Sequence, residues 1–354
     1  MEDGVGGGRD AGRPAKLFGF LGRSGLVAGV DVGGHLIRVA VSDLAGTVVA
    51  SEEMPLDPAR GGSTAFDTIC GLLDALLESL EDSGPLLSIA VGVTGLVGPD
   101  GRVAMSYALP AWNAADVAGR LTTKYSCGVV LENDARLASI AEHYLGASVL
   151  ADDVVYIQVG HRISVSLLIE GKVHRGRHHA SGEAGYLLFD GVATDAASNI
   201  RWRSAETAEE VVARSLRGDA KATDELTAFL NALAPGIAAL ALVTDPDLVV
   251  LGGGLSMAGE VVLGVLREAV RSHIRIPAVP TLVRSDLGAD AVVIGAVLRA
   301  HELSAMSVYG AEGIVPAPAG LKSMRRADRA RAAFEPAAPQ KAGDSTISSP
   351  SSHH

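Results

Sequence analysis

The stretch Leu131-Glu132-Asn133-Asp134-Ala135-Arg136 runs straight out of the apolar pair Val129-Val130, so it reads as a buried strand that ends on acidic side chains. The carboxyl ends of strands are where an open α/β sheet presents side chains to a ligand. That position makes Asp134 the leading candidate for a general base, the group that takes a proton from a reacting hydroxyl. Asn-Asp ahead of Ala135 is also what starts a helix, with a side-chain oxygen capping its first amides. The residues alone leave both readings open.

Asp31-Val32-Gly33-Gly34 and Leu251-Gly252-Gly253-Gly254 follow apolar runs in the same way, whereas Gly182-Glu183-Ala184-Gly185 does not. Gly33-Gly34 at a hairpin tip lets backbone amides approach an anion, and Asp31 just before it suits a hydrated divalent cation. A diglycine turn is otherwise simply a turn. Gly252-Gly253-Gly254 ahead of a helix at Ser256 suits an adenosine moiety or a phosphate at a helix N-terminus. Met257 stands where a dinucleotide fingerprint has its third glycine, which disfavours a Rossmann oxidoreductase. Glu183 is either a solvated loop acid or an acceptor for a sugar hydroxyl.

A chain of 354 residues suits two domains with a cleft between them. Almost half of it is apolar and only 4% aromatic, the composition of helices packed closely on parallel sheets. Residues 1 to 25, rich in Gly, Arg and Asp, read as a flexible leader. Leu26 to Val32 and Ile37 to Ser42 form a hairpin turning at Gly33-Gly34. Thr68 to Leu80 has the spacing of one helical face, and Leu86 to Val93 is a buried strand. Helices follow over Ala115 to Lys124 and Ala135 to Leu145. A second sheet opens with Asp152 to Val159 and Ser164 to Ile169. Thr207 to Leu242 is mostly helical with a break at Pro235-Gly236, ahead of a strand over Leu248 to Leu251. These elements predict a first lobe over 26–149, completed by a helix over 291–303, a second lobe over 150–290, and a disordered tail over 306–354.

The net charge of -11 is concentrated in the body of the chain, where residues 26 to 305 carry 20 basic and 34 acidic groups. A body that acidic repels phosphate backbones, so unaided nucleic-acid binding is not expected. The basic run Lys322, Arg325, Arg326, Arg329 and Arg331 reads as a solvated tail. Cys70 and Cys127 lack metal-ligand spacing, so neither a disulfide framework nor a cysteine zinc site is expected, and a reducing cytoplasm fits. No apolar run reaches the roughly 18 residues that span a bilayer, so no membrane association is expected.

Taken in order, "GVDVGG", "VGVTGLVGPDG", "LENDARLASIAEHYLGA", "GKVHRGRHHASGEAGY", "DLVVLGGGLS" and "SDLGADAVVIGAV" resemble the ROK family of sugar kinases and sugar-responsive repressors over roughly residues 26 to 303. The resemblance implies an α/β, actin-like ATPase (ribonuclease-H-like) fold with two lobes around a central cleft, and a homodimer. It implies ATP between the lobes against Gly33, Gly34, Gly160, Gly252, Gly253 and Gly254, with Mg²⁺ near Asp31. It implies Asp134 as catalytic base, and Asn133, Asp134 and Glu183 on the sugar.

Several positions depart from the family pattern together. Its first phosphate loop usually reads Asp-x-Gly-Gly-Thr, and the threonine position here is His35. Its second usually reads Gly-Thr-Gly-Ile-Gly-Ala-Gly, against Gly160-His161-Arg162-Ile163-Ser164-Val165-Ser166 here. If the lost glycines needed positive φ, each replacement would cost about 1–2 kcal/mol; the side chains also crowd the phosphates, although Arg162 supplies a cation. On the sugar side Ala108 replaces an asparagine and Tyr186 a histidine that is also a zinc ligand in the family, and residues 187 to 206 hold no cysteine. No zinc site is expected, nor a replacement metal site at His174, His178 and His179, which read as surface histidines. Only about 25 irregular residues precede the first strand, less than a winged helix-turn-helix needs, so the repressors' DNA-binding module is not expected.

Two functions follow, from different classes. The preferred one is a catalytically weakened sugar-kinase-like protein that binds a sugar, a sugar phosphate or another small ligand and acts as a regulator. The alternative is an active ATP-dependent hexose kinase with Asp134 as base. The altered phosphate loops favour the first, because positioning of the phosphates carries more of the acceleration than a base does.

Overall fold

Two five-stranded sheets repeat one topology. The first holds β1 (Leu26–Val32), β2 (Leu36–Asp43), β3 (Val48–Pro55), β4 (Leu86–Val93) and β7 (Gly128–Asn133), in the order β3-β2-β1-β4-β7. The second holds β8 (Val154–Val159), β9 (Ile163–Ile169), β10 (Lys172–Val173), β11 (Leu248–Gly253) and β12 (Thr281–Arg284), in the order β10-β9-β8-β11-β12. In each sheet three strands are joined antiparallel by hairpins and two further strands add in parallel to the first. The computed structural model describes residues 22–310, apart from 81, 82, 197 and 278, together with residue 312.

The strands form where apolar runs can be covered on both faces. In β1 every residue except Asp31 is buried, as a parallel sheet flanked by helices requires. Between the sheets lie α3 (Asp134–Leu145) and α8 (Ala291–Tyr309), and one core cluster joins Val27, Ala40 and Ala90 of the first sheet to Tyr156, Leu168 and Val250 of the second through both helices. A helix apolar on all sides, as α8 is, has its place in such a buried layer. The helices cross in close contact: a Cβ on Gly295 would sit 1.9 Å from the Leu137 carbonyl oxygen. On the outer face of the first sheet lies α1 (Ala65–Glu78), with α2 (Val117–Tyr125) near β7, and a small hairpin of β5 (Leu96–Val97) and β6 (Val103–Met105) extends from β4. Behind the second sheet stand α5 (Ala208–Leu216), α6 (Ala220–Thr244) and α7 (Gly259–His273), and the short α4 (Gly185–Leu188) joins β10 to them.

The differences from the sequence reading have local causes. The helical stretch breaks at Gly218-Asp219, where Asp219 caps α6 by accepting from the Lys221 and Ala222 amides, and α6 then runs through Pro235 without stopping. Part of the segment read as a leader is structured: Gly22–Ser24 make a 3-10 turn whose Gly22 carbonyl accepts from Leu44 N. The last helix continues to Tyr309, because Ser304 and Ala305 are still buried and the Tyr309 hydroxyl donates to the Leu44 carbonyl at 2.9 Å. The rest of the leader and tail, with the basic run and the terminal histidines, lies outside the described residues. By length and composition α6 and the segment Gly288–Tyr309 are apolar enough to cross a membrane, a property missed in the sequence because polar residues punctuate both. Half of the apolar window of α6 and two thirds of that of α8 are buried within the fold, as in core helices.

Candidate functional site

The repeated topology aims two hairpin tips and the ends of three parallel strands into one cleft. The tip between β1 and β2 carries Gly33, Gly34 and His35, closed by Gly33 N donating to Leu36 O. The tip between β8 and β9 carries Gly160, His161 and Arg162, closed by Gly160 N donating to Arg162 O. His35 and His161 stack across the gap, their ring centroids 4.2 Å apart and their planes 15° from parallel. Arg162, Ser164 and Ser166, which stand at the family's glycine positions, have ordinary φ values. The expected strain is therefore absent, and what the substitutions change is the side chains.

Asp134 is buried at the first turn of α3, where its Oδ2 accepts from the Thr94 hydroxyl at 2.9 Å and its Oδ1 from Ala135 N at 2.8 Å. Burial raises its pKa against the pull of those hydrogen bonds. Asp31, at the end of β1, is pushed up to about 7 by burial and by the nearby Asp134, while Arg38, 3.8 Å away, pulls the other way. The half-buried Asp31, raised in part by Asp134, and the buried Asp134 line one cavity and suit a divalent cation held there.

Asn133 is the N-cap of α3: its Oδ1 accepts from Arg136 N and its Nδ2 donates to the Gly95 carbonyl, both at 3.1 Å. The capping role and a place at the cavity wall thus coincide. Glu183 follows Gly182, whose φ of 89° and close approach to β9 admit no side chain; a Cβ there would meet the Val165 carbonyl oxygen at 2.1 Å. Glu183 remains solvent-exposed, and partial desolvation raises its pKa, with Asp134 adding to the effect and Arg136 opposing it.

These residues divide between two adjoining cavities. One, of about 700 Å³, is lined by Asn133 and Glu183 together with Ser106, Tyr107, Phe189 and Ile200. The other, of about 450 Å³, is lined by Asp31, Gly33, Gly34, Asp134, Gly160, Gly253 and Gly254, and also by His35, His161 and Arg162. Gly252 lines neither; it lies in β11 against the Tyr156 hydroxyl. Ala108 lines the smaller cavity rather than the larger. His174 and His178 are exposed, and His179 contributes its carbonyl to the network described next.

The sequence reading missed a largely buried ionic network at the start of α3. Glu132 accepts from Arg136 Nη1 at 3.3 Å and from Arg175 Nε at 2.8 Å, and Arg136 Nη2 donates to the carbonyls of His179 and Ser181. It ties the loop that leads to Glu183 onto the start of α3. Glu132 and Arg136 stand four apart in the sequence, which was the one available signal; Arg175 is 43 residues away from Glu132.

A model of the ROK family matches residues 27–199 and 190–302. The chain is 25% identical over 308 residues to a glucokinase of Halalkalibacterium halodurans, covering 75% of this chain and 92% of that one. It is 26% identical over 189 residues to the xylose repressor of Bacillus subtilis, covering 52% and 48% of the two chains. The ROK hexokinase of Thermus thermophilus superposes with a TM-score of 0.63 at 27% identity, over 78% of this chain and 97% of that one. Since the match spans both sheets and the cleft between them, the chain belongs to the ROK family and has the actin-like, ribonuclease-H-like fold of its sugar kinases.

Proposed function

We propose that this chain is a catalytically weakened sugar-kinase-like protein, which binds a sugar or a related small ligand in its cleft and acts as a regulator through conformational change or partner contact. The observation that carries this reading is the imidazole stack of His35 on His161. An anionic chain laid between the two hairpin tips meets those rings, and the Arg162 side chain behind them, where a phosphate cradle needs bare backbone. Asp31 and Asp134 fit Mg²⁺, and Gly253-Gly254 ahead of α7 suit the nucleoside end of ATP. The triphosphate is the part that does not fit. The same reading takes the protein as a cytoplasmic homodimer, without zinc and without direct nucleic-acid contacts of its own.

One observation favours the alternative, an active ATP-dependent hexose kinase: Asp134 is held by the Thr94 hydroxyl and the Ala135 amide on the wall of the smaller cavity, beside the glycines of both hairpin tips. Calorimetric titration with Mg·ATP beside a coupled kinase assay over a hexose panel separates the two. No nucleotide heat and no turnover are expected. Turnover that disappears in Asp134→Ala would establish the kinase instead.

A further inference from the structure

Outside the cleft, the second lobe holds a third cavity, of about 530 Å³. One wall is α6; the other is the segment between α4 and α5, which folds back on itself where Thr194 pairs with Ile200 and Arg201 N donates to the Ala193 carbonyl at 2.8 Å. Val192 and Ile200 also line the larger cavity of the cleft, so the two spaces share this segment as a wall. The lining of the third cavity includes an aromatic pair: the half-buried Trp202 stands with its ring centroid 4.5 Å from that of Phe229, tilted by 43°. Glu225 of α6 is fully engaged, accepting from Arg203 N at 2.6 Å, from Ser204 N at 2.8 Å and from the Ser204 hydroxyl. Arg201, Arg203 and Lys221 are exposed, and the one other carboxylate in the lining is Asp224. Among the described residues neither Arg201 nor Lys221 has an ion-pair partner, and the Trp202 indole N–H has no acceptor.

We propose that this cavity is a second binding site for a small planar aromatic carboxylate, with the ring against Trp202 and Phe229 and the carboxylate among Arg201, Arg203 and Lys221. An apolar cavity with a few convergent polar groups is what a small ligand needs, and aromatic rings pack on one another in tilted or offset arrangements. Guanidinium groups pair with carboxylates through charge-assisted hydrogen bonds. In a body as acidic as this one, a local excess of cations also draws an anion to one place. Three cations against two carboxylates leave one net positive charge, which matches a monoanion better than the nearly doubled charge of a phosphate monoester. Ser204 and Glu225 are bonded to each other, so the lining keeps little with which to read the polar edges of a nucleobase. The site is separate from the cleft, and the proposal stands or falls independently of what the cleft binds.

The test is calorimetry on the full chain with benzoate, 4-hydroxybenzoate and indole-3-acetate, beside the neutral benzamide and indole-3-acetamide, the non-aromatic cyclohexanecarboxylate, and AMP. At least one aromatic acid is expected to bind about tenfold or more tightly than its amide and than cyclohexanecarboxylate, the difference that one charged hydrogen bond makes. Trp202→Leu is expected to weaken that binding about tenfold. The double variant Arg201→Gln, Lys221→Gln alters only exposed side chains and is expected to bring the ratio of acid to amide toward one. Melting temperatures without ligand report that each variant is folded; should Trp202→Leu fail to fold, the double variant decides. The proposal fails if no aromatic acid binds, if an amide or cyclohexanecarboxylate binds as well, or if AMP binds in their place. It fails equally if the preference survives in either folded variant, because the acid then sits elsewhere on the protein.

Discussion

Arg136 and Glu132 have side chains only 2% and 5% exposed, yet both are charged. Burying such ions costs several kcal/mol each unless every donor and acceptor finds a partner. Here the carboxylate takes two guanidinium groups and Arg136 Nη2 donates to two carbonyls, so the network holds a particular loop in place more than it adds stability. His301 shows the opposite treatment of a titratable group. It is buried in α8 beside Ser42, whose hydroxyl is 3.3 Å from Nε2, and burial lowers its pKa to about 4 although the nearby Asp43 opposes the shift. An imidazole in the unfolded chain titrates near 6.5, so between that value and about 4 the unfolded state takes up a proton that the folded state refuses. The stability linked to His301 is thus fully present above about 6.5 and drains away as pH falls toward 4. Denaturant unfolding at about pH 7.5 and about pH 5 should show the wild type losing about 2 kcal/mol more than His301→Gln. Equal losses in the two proteins would mean that His301 is charged in the fold.

The crossing of α3 on α8 carries the floor of the cleft, because Asp134 opens one helix and the other fills the layer between the sheets. Gly295→Ala puts a methyl group within 1.9 Å of the Leu137 carbonyl oxygen, and the helices must part to accept it. The expected cost is about 1–3 kcal/mol, read as a lower urea midpoint. Gly264→Ala, in α7 with open space around it, should instead gain about 0.4–1 kcal/mol. If both midpoints move the same way, the crossing is not close-packed. The sequence made the elements legible wherever one period or one run defined them. The one-sided apolar spacing of α1 and the unbroken runs of β1 and β4 announce themselves within a few residues. β3 did not, because its second half, Glu52 to Pro55, is an exposed edge with no apolar alternation to read. Nor did β12, whose four residues become a strand only by pairing with β11, more than 30 residues earlier in the chain. Pro235 was read as a breaker on its local chemistry, whereas burial of Leu233, Ala234, Gly236 and Ile237 keeps that part of α6 in one piece.

Across the molecule, the candidate site residues came from segments up to more than 200 positions apart, and nearly all of them line one cleft. They were legible because each sits at the end of an apolar run or between glycines. The contact of His35 with His161 was not, since it exists only once two separate sheets aim their hairpins at each other. The proposed function rests on that contact, and it can be removed without disturbing the backbone. Neither tip holds a residue in a left-handed conformation, so smaller side chains at 35, 161 and 162 change what fills the gap and little else. The variant His35→Thr, His161→Thr, Arg162→Gly should therefore show calorimetric heat with Mg·ATP where the wild type shows none. Arg162→Gly adds backbone freedom to the unfolded chain, at roughly 0.5–1 kcal/mol, and a melting curve of the free protein accounts for it. Because the three side chains are neighbours, the gain should be non-additive: removing the imidazoles alone opens the gap, and removing Arg162 alone leaves the stack closed. If the folded triple variant stays silent toward nucleotide, the obstruction lies elsewhere in the cleft and the stacked histidines are not what keeps the triphosphate out.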